Sequence, residues 1–451
     1  MVIEATPSNA SHLWRRAAFG ASPEQISQTV TAGIEATVAE MFDHRRAAMA
    51  GAPKRDVGLN GFETPSINLW FMNLVASSPT PAIERLMWFW HGHFATNFDK
   101  FEGPEAFHAQ LLTLRRHGLG RLDDLLKLMH RDPAMIAWLD LHLSVAGNPN
   151  ENYARELMEL FSLGVDGGYT QRDVVEAARA FTGNSLIDEH PFVAEWNPAL
   201  HDNGEKTILG QTGRFTGDDV VDLIVQRPEC HRFIASRFWT RYAGTPPPTT
   251  VIDDLAAALA DNLLINDLVV ALFTHPAFYA DDVKHGLVAQ PVESTANAIR
   301  GFQADLVDIR TVSFFDVEDR EDEFRFPFHV PLEMLEDMGQ YIGHPPNVGG
   351  WPHNEPWIDA TRATGRLNAG IRFAQTIVES ESPIVAAIAE ATGRGPRLGA
   401  AAIFSAFGIT DWTAETEAAL VAALTTPTDD EGGPLATAIT VAFTSPEVTL
   451  S

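Results

Sequence analysis

Apolar residues recur every three or four positions in segment after segment, and this period commits most of the chain to amphipathic helices. Between Pro81 and Trp90 the apolar positions Ile83, Leu86, Met87 and Trp90 share one helical face. Ser22-Pro23-Glu24-Gln25 places a capping residue before a proline at the first helical position, followed by Ile26 and Val30. The same reading predicts helices over 104–117, 121–130, 133–141, 151–163, 170–182, 217–226 and 228–242. In the second half it predicts 251–263, 265–275, 291–304, 332–342, 357–379, 397–406 and 413–425. Strand signals are thin: Thr207-Ile208-Leu209, and Thr311 to Phe315. The expected fold is all-α, a multi-helix globular bundle with long ordered loops and little or no sheet.

Four irregular stretches interrupt the helices: 44–65, 184–216, 305–331 and 343–356. Long connections of this kind in a compact protein are functional or disordered. The stretch 184–216 mixes turn residues with His190, Trp196, His201, Asp202 and Lys206, and reads as an ordered loop that covers something. The run 316–325, DVEDREDEFR, reads as a solvated charged face. Gly244-Thr245-Pro246-Pro247-Pro248-Thr249 is the best linker candidate. It divides the chain into 1–244, which holds most of the polar motifs, and 245–451, with 343–366 packing back on the first part. One integrated domain is the alternative.

A hydrophobic content of 45% over 451 residues supports a large core. The net charge of −28 disfavours nucleic acid, whose phosphates need Lys and Arg, and disfavours an anionic membrane surface. A single cysteine, Cys230, rules out an internal disulfide and a cysteine-rich zinc site, and its place in a helical segment suits core packing. The start, MVIEATPSNASHLWRRAAFG, lacks the basic and apolar run of a secretory signal, and Arg15-Arg16 has no long apolar segment behind it. No window offers about 18 uninterrupted apolar residues, so no membrane span is expected, and the expected location is the cytoplasm.

Five polar motifs interrupt the apolar pattern. In Trp88-Phe89-Trp90-His91-Gly92-His93, two histidines flank a glycine among aromatics. In an extended segment both imidazoles could reach one metal; in a continuous helix they diverge by about 200°. Metal ligation, acid/base work and simple buried hydrogen bonding are all open to them. In Asn150 to Gly164, the spacing of Glu151, Arg155 and Glu159 makes a salt-bridge ladder, while Glu156 leans towards core residues and needs an Arg, His or metal partner. Asp166 to Asp173 reads as a Gly-Gly turn with Thr170 capping the next helix.

The fourth motif, His201-Asp202-Asn203-Gly204-Glu205-Lys206, is either an acid/base or anion-binding group or a turn held by Asp and Gly. The fifth, Gly343 to Pro352 with Trp351 and Trp357, is either a ligand-facing loop or a loop plugged into the core by Trp351. Near the start, His12 and Arg16 share a helical face beside Arg15, and this positive group could face the carboxylates of the second motif.

In order and wording these motifs resemble the domain-of-unknown-function 1800 family of bacterial proteins. The resemblance rests on HLWRRAAFGASPEQI, ERLMWFWHGHF, NPNENYARELMELFSLGVDGGYTQRDVVEAARAFTG, HDNGEKTILGQTG with GDDVVDLI, and PPNVGGWPHNEPWI, from His12 to about Asn368. It implies a helical bacterial protein with no settled activity and no agreed catalytic residues to carry over. It also implies a partner of the alkaline-phosphatase and sulfatase class, because members are often encoded beside one, and members often carry an export signal. Leu141 departs from the family's wording, where Asn is expected after Leu139-Asp140.

Two functions compete. In the first, an enzyme, His91, His93, Arg155, Glu156, His201 and Asp202 converge in one pocket. His91, His93 and Glu156 would hold a divalent metal ion and Glu151 or Asp202 would be the base, with Arg155, His201 and Lys206 as further catalytic candidates, for metal-assisted or acid/base hydrolysis or a redox step. In the second, a non-catalytic scaffold or partner protein, the same residues form a buried polar network that fixes the fold.

Overall fold

A computed structural model describes residues 3–43, 64–100, 104–187, 193–304, 329–380, 382–428 and 432–450. Helices make up 66% of it, and the only strands among the described residues form two small two-stranded sheets. The chain is mainly α, as the apolar period requires. The charge run 316–325, the strand candidate at 311–315, His190 and most of the stretches 44–65 and 305–331 lie outside the described residues. Among the described residues no helix is long and apolar enough to cross a membrane.

The expected helices form close to their expected bounds, among them Pro104–His117, Gly217–Val225, Pro228–Ala243 and Pro396–Ala406. Their ends follow the capping chemistry. Ser22 with Gln25, and Thr170 with Asp173, form reciprocal capping boxes. One helix departs from expectation. The segment predicted as a helix over 151–163 is α-helical only over Asn152–Glu156 and then widens into a π-helix over Leu157–Ser162. The Ser162 hydroxyl donates to the Leu157 carbonyl at 2.5 Å, and Gly164, at φ +83°, ends the element.

Thr207 and Ile208 do form a strand: Lys206–Ile208 pairs antiparallel with Gln211–Gly213. Leu209 and Gly210, both at positive φ, make the two-residue turn between them. The pairing of Asn184–Leu186 with Ala194–Trp196 was not expected, because three-residue strands are too short to show an alternating pattern. Helices at Pro383–Arg394 and Gly433–Thr444 were not expected either.

At the centre stands the Pro81–His93 helix. Every residue in it except Gly92 is buried. A helix buried all round is expected to be apolar all round, yet this one carries Glu84 and Arg85. Each is paired. Arg115 clamps Glu84 with Nε at 2.8 Å and Nη2 at 2.8 Å, and Arg85 meets Glu293 at 2.8 Å. A buried charge without its partner costs several kcal/mol, roughly 3–5, so these pairs tie the helix to its neighbours.

Distant parts of the sequence close around this helix. Arg16 donates to the carbonyls of Tyr242 and Val283, His12 Nε2 meets the Phe278 carbonyl at 2.9 Å, and Arg15 donates to Glu447 and Leu450. The positive group near the start is therefore spent on carbonyls between Tyr242 and Leu450 and does not face the 150–159 carboxylates. The Ile342 amide donates to Asn68, and Gly350 lies directly against the Gly92 carbonyl.

Candidate functional site

The polar motifs do not gather in one place. The Pro81–His93 helix is continuous through His91-Gly92-His93, so the two imidazoles leave it on opposite sides. His91 is fully buried between Trp88 and Phe107, with ring centroids at 5.3 and 5.1 Å, and neither ring nitrogen has a hydrogen-bond partner. Burial, then the nearby His344, pulls its pKa down to about 3. Glu156 is half-buried, with an acid raised by burial and by Glu159. No group of three or more His, Cys, Asp or Glu placed to hold a metal ion occurs among the described residues, so His91, His93 and Glu156 do not meet as ligands.

Arg155 pairs with Glu151 at 2.8 Å, and both also bond Gln171 on the partly exposed surface, which is the Glu151–Arg155 rung of the expected ladder. The turn at 201–206 closes on itself. His201 Nδ1 meets the Thr182 carbonyl at 2.9 Å, Arg179 Nε donates to Asp202 at 2.8 Å, and Lys206 Nζ donates to the carbonyls of Asp202 and Gly204. The hydrogen bond from Arg179 holds the Asp202 acid below its ordinary range.

His93 is placed differently. It lines a cleft with Trp88, Phe89, Gly92, Arg237, Arg241, Gln290, Trp351 and His353. The cavity that these residues line measures about 20 Å³, enough for one water-sized group. Three elements build it. The Pro81–His93 helix brings His93. The Pro228–Ala243 helix brings Arg237 and Arg241 four residues apart on one face. The segment around Gln290 and the loop 343–354 supply the rest.

Gln290 is the hinge of the polar floor. Its Oε1 accepts from Trp88 Nε1 at 3.2 Å, Arg241 Nη2 at 3.1 Å and Gln340 Nε2 at 3.3 Å, and its Nε2 donates to the Pro352 carbonyl at 3.1 Å. Glu293, one turn into the Pro291–Gly301 helix, pairs with Arg85 and Arg241 and accepts from the Gln290 amide. Burial pushes its acid upward, but the charges of Arg241 and Arg85 outweigh it and leave it lowered.

The loop that roofs the cleft is fixed at several points. Gly350, at φ +86°, leaves its α-carbon so near the Gly92 carbonyl that a side chain would collide. Asn354, at φ +57°, donates to the carbonyls of Gly244 and Gly286 and accepts from the Val288 amide. Trp357 Nε1 donates to the Pro352 carbonyl at 2.8 Å. Trp351 and His353 are thus held in place over the arginines by strained and over-determined backbone.

Several polar atoms of the cleft have no hydrogen-bond partner among the described residues: His93 Nδ1, His353 Nδ1, Arg241 Nη1 and Trp351 Nε1. Native structures leave few buried groups unpaired, because each costs about 1–3 kcal/mol. His93 Nε2 is paired, at 3.0 Å from the Phe161 carbonyl. A carbonyl only accepts, so Nε2 carries the proton and a neutral ring leaves Nδ1 as a bare acceptor. Burial, then the charge of Arg237, pulls His93 down to about 3. His353 also falls to about 3, through burial and the charges of Arg241 and Arg237. The arrangement can hold an anion between guanidinium groups and can move a proton at a neutral imidazole.

His93 and Trp351 were legible as candidates from sequence. Arg85, Arg237, Arg241, Gln290, Glu293 and His353 were missed. One signal was available: Arg237 and Arg241 repel each other at i, i+4 beside the apolar Phe238, Trp239 and Tyr242, a pattern with no local rationale.

The family described as "Protein of unknown function (DUF1800)" matches residues 12–450, nearly the whole chain. No curated protein and no solved structure matches it.

Proposed function

The chain belongs to the DUF1800 family, and on that premise we propose an enzyme whose working site is the cleft around His93, Arg237, Arg241 and His353. The substrate is a small anionic molecule. Its negative group lies against Arg237 and Arg241, and His93 is the acid/base residue. The observation that carries this reading is the bare Nδ1 of His93, buried and without a partner, in the same cleft as the unpartnered Nη1 of Arg241. Active sites are where burial and neighbouring charges shift titratable groups, and His93 and His353 are both shifted in this cleft.

Hydrolysis is the reaction this geometry suits. Nδ1 takes a proton from a water whose oxygen bonds to the substrate's acyl or phosphoryl centre. The bond to the leaving oxygen breaks, and the proton returns to that oxygen. The guanidinium groups stabilise the negative charge as it develops. A bound anion also offsets the Arg237 charge that depresses His93, so the imidazole becomes a better base when substrate is present.

The test is a panel of p-nitrophenyl esters bearing carboxylate, phosphate or sulfate groups. Turnover is expected to fall at least about 100-fold in His93→Gln, the usual loss for an acid/base group. Turnover unchanged in that variant, or no turnover by the wild-type protein, refutes the reading. The scaffold alternative draws its support from the 201–206 turn, whose polar groups are taken up by Arg179, Thr182 and the turn's own carbonyls.

A further inference from the structure

We infer that this cleft binds one water molecule between His93 Nδ1 and Arg241 Nη1, and that Gly92 lacks a side chain in order to leave room for it. The inference rests on the cleft being the working site and deepens that reading, because the attacking water becomes a bound reactant.

Gly92 is the one residue of the Pro81–His93 helix that is not buried. Alanine would suit a helix better, since glycine gives up more backbone freedom there. No local demand explains the glycine. Its backbone is helical and not left-handed. The contact with Gly350 uses the Gly92 carbonyl, which any residue would supply. A Cβ at Gly92 would meet nothing within 4 Å. Helical spacing gives the direction of that open space. Trp88, Phe89, Gly92 and His93 stand three or four positions apart on one face, and these are the residues of the helix that line the cleft. A methyl group at Gly92 would therefore enter the cleft, whose cavity of about 20 Å³ takes one water-sized group.

The unpartnered atoms select water among groups of that size. His93 Nε2 carries the proton that meets the Phe161 carbonyl, so Nδ1 can only accept. Arg241 Nη2 is taken by Gln290 and Glu293, which leaves Nη1 as the spare donor. Trp351 Nε1 is a second spare donor, and His353 Nδ1, in the Nε2–H tautomer, a second spare acceptor. A water has two hydrogens and two lone pairs, one partner for each. A halide has no hydrogen to give and would set its charge against the Nδ1 lone pair. Ammonium or a metal ion would meet the like charges of Arg237 and Arg241. Gln290 is the positioning residue: it fixes Arg241 through Nη2 and holds the roof through the Pro352 carbonyl. In the reaction, this water gives its proton to His93 Nδ1 while its oxygen bonds to the acyl or phosphoryl centre, and the guanidinium groups favour the negative charge that develops. The cavity has no room for the substrate as well, so the reacting centre approaches from the mouth of the cleft.

The experiment is crystallography of the full chain, as wild type and as Gly92→Ala, with wild-type crystals also soaked in sodium bromide. Wild type should show one oxygen-sized peak at hydrogen-bond distance, about 2.7–3.2 Å, from His93 Nδ1 and Arg241 Nη1. No anomalous bromide signal should coincide with it. Gly92→Ala should keep the helix and lose the peak. Its turnover of the ester panel should fall at least about 100-fold, as for His93→Gln, while its melting temperature holds or rises. A dry cavity in wild type overturns the water site, and bromide in it overturns the choice of ligand. A peak that persists in Gly92→Ala, or a Gly92→Ala chain that does not fold, overturns the room assigned to the glycine. The two readings fail separately. A bound water without turnover by wild type refutes the hydrolase and leaves the site standing. Turnover undiminished in a Gly92→Ala protein that has lost the peak overturns the water as reactant and leaves the hydrolase standing.

Discussion

Gly350→Ala is the sharpest test of how the cleft is roofed. The residue sits at φ +86°, where an L side chain is strained by about 1–2 kcal/mol. An added Cβ would lie 2.0 Å from the Gly92 carbonyl oxygen, which is backbone within a buried helix and cannot swing aside. Relieving such a clash costs about 1–3 kcal/mol more. The expected loss is therefore about 2–5 kcal/mol, and the loop bearing Trp351 and His353 should lift from the arginines. The partner in this contact gives the control. A Cβ at Gly92 meets nothing within 4 Å, and Gly92 lies in a helix, where alanine is better by about 0.5–1 kcal/mol. Urea titrations followed by tryptophan fluorescence and circular dichroism would compare the variants. Gly350→Ala should unfold at distinctly lower urea than wild type, and Gly92→Ala at equal or slightly higher urea. A Gly350→Ala protein as stable as wild type, or a Gly92→Ala protein equally damaged, would refute the contact as the source of the loop's position.

Three further perturbations separate the buried groups from the surface ones. Asp132 caps the Pro133–Trp138 helix, accepts from Met135 and Gln110, and is pushed up to about 7 by burial. A folded value above the unfolded one means that stability falls as pH rises from about 4 to 7, on the order of a few kcal/mol. Asp132→Asn keeps both acceptor bonds, so its melting temperature relative to wild type should climb across that window; a gap independent of pH would contradict the assignment. Glu293→Gln strands Arg85 and Arg241 and should cost about 3–5 kcal/mol by denaturant titration. Arg155→Ala removes only a partly exposed helical pair and should cost no more than about 0.5 kcal/mol, less still in high salt.

Local chemistry was readable from sequence and tertiary chemistry was not. The helix around Leu86 and Trp90, the capping boxes at Ser22 and Thr170, and the glycine stop at Gly164 depend on neighbours within four residues, so spacing reveals them. The π-helix at 157–162 escaped, because one extra residue per turn leaves the apolar pattern almost unchanged. In the site, spacing gave the divergence of His91 and His93 on a continuous helix but could not decide which would face a cavity. Arg241 reaches Gln290 and Glu293 about fifty residues later, and His93 depends on a carbonyl 68 residues away. Such partners belong to the fold, and a single sequence holds no period that points to them.

The hydrogen bond from Trp88 to Gln290 spans 202 residues, and the Pro352 carbonyl that Gln290 holds lies 62 residues further on. During synthesis the histidine of this cleft therefore leaves the ribosome long before its roof exists. At about 5–20 residues per second the wait is on the order of tens of seconds. Until residue 293 is made Arg85 has no Glu293, and the buried aromatic helix waits longer still for cover from the 343–354 loop. Chaperone engagement should be strongest on nascent chains that stop between residues 93 and 354 and should drop once Trp351 and His353 can dock. No fragment ending before that point carries a complete cleft.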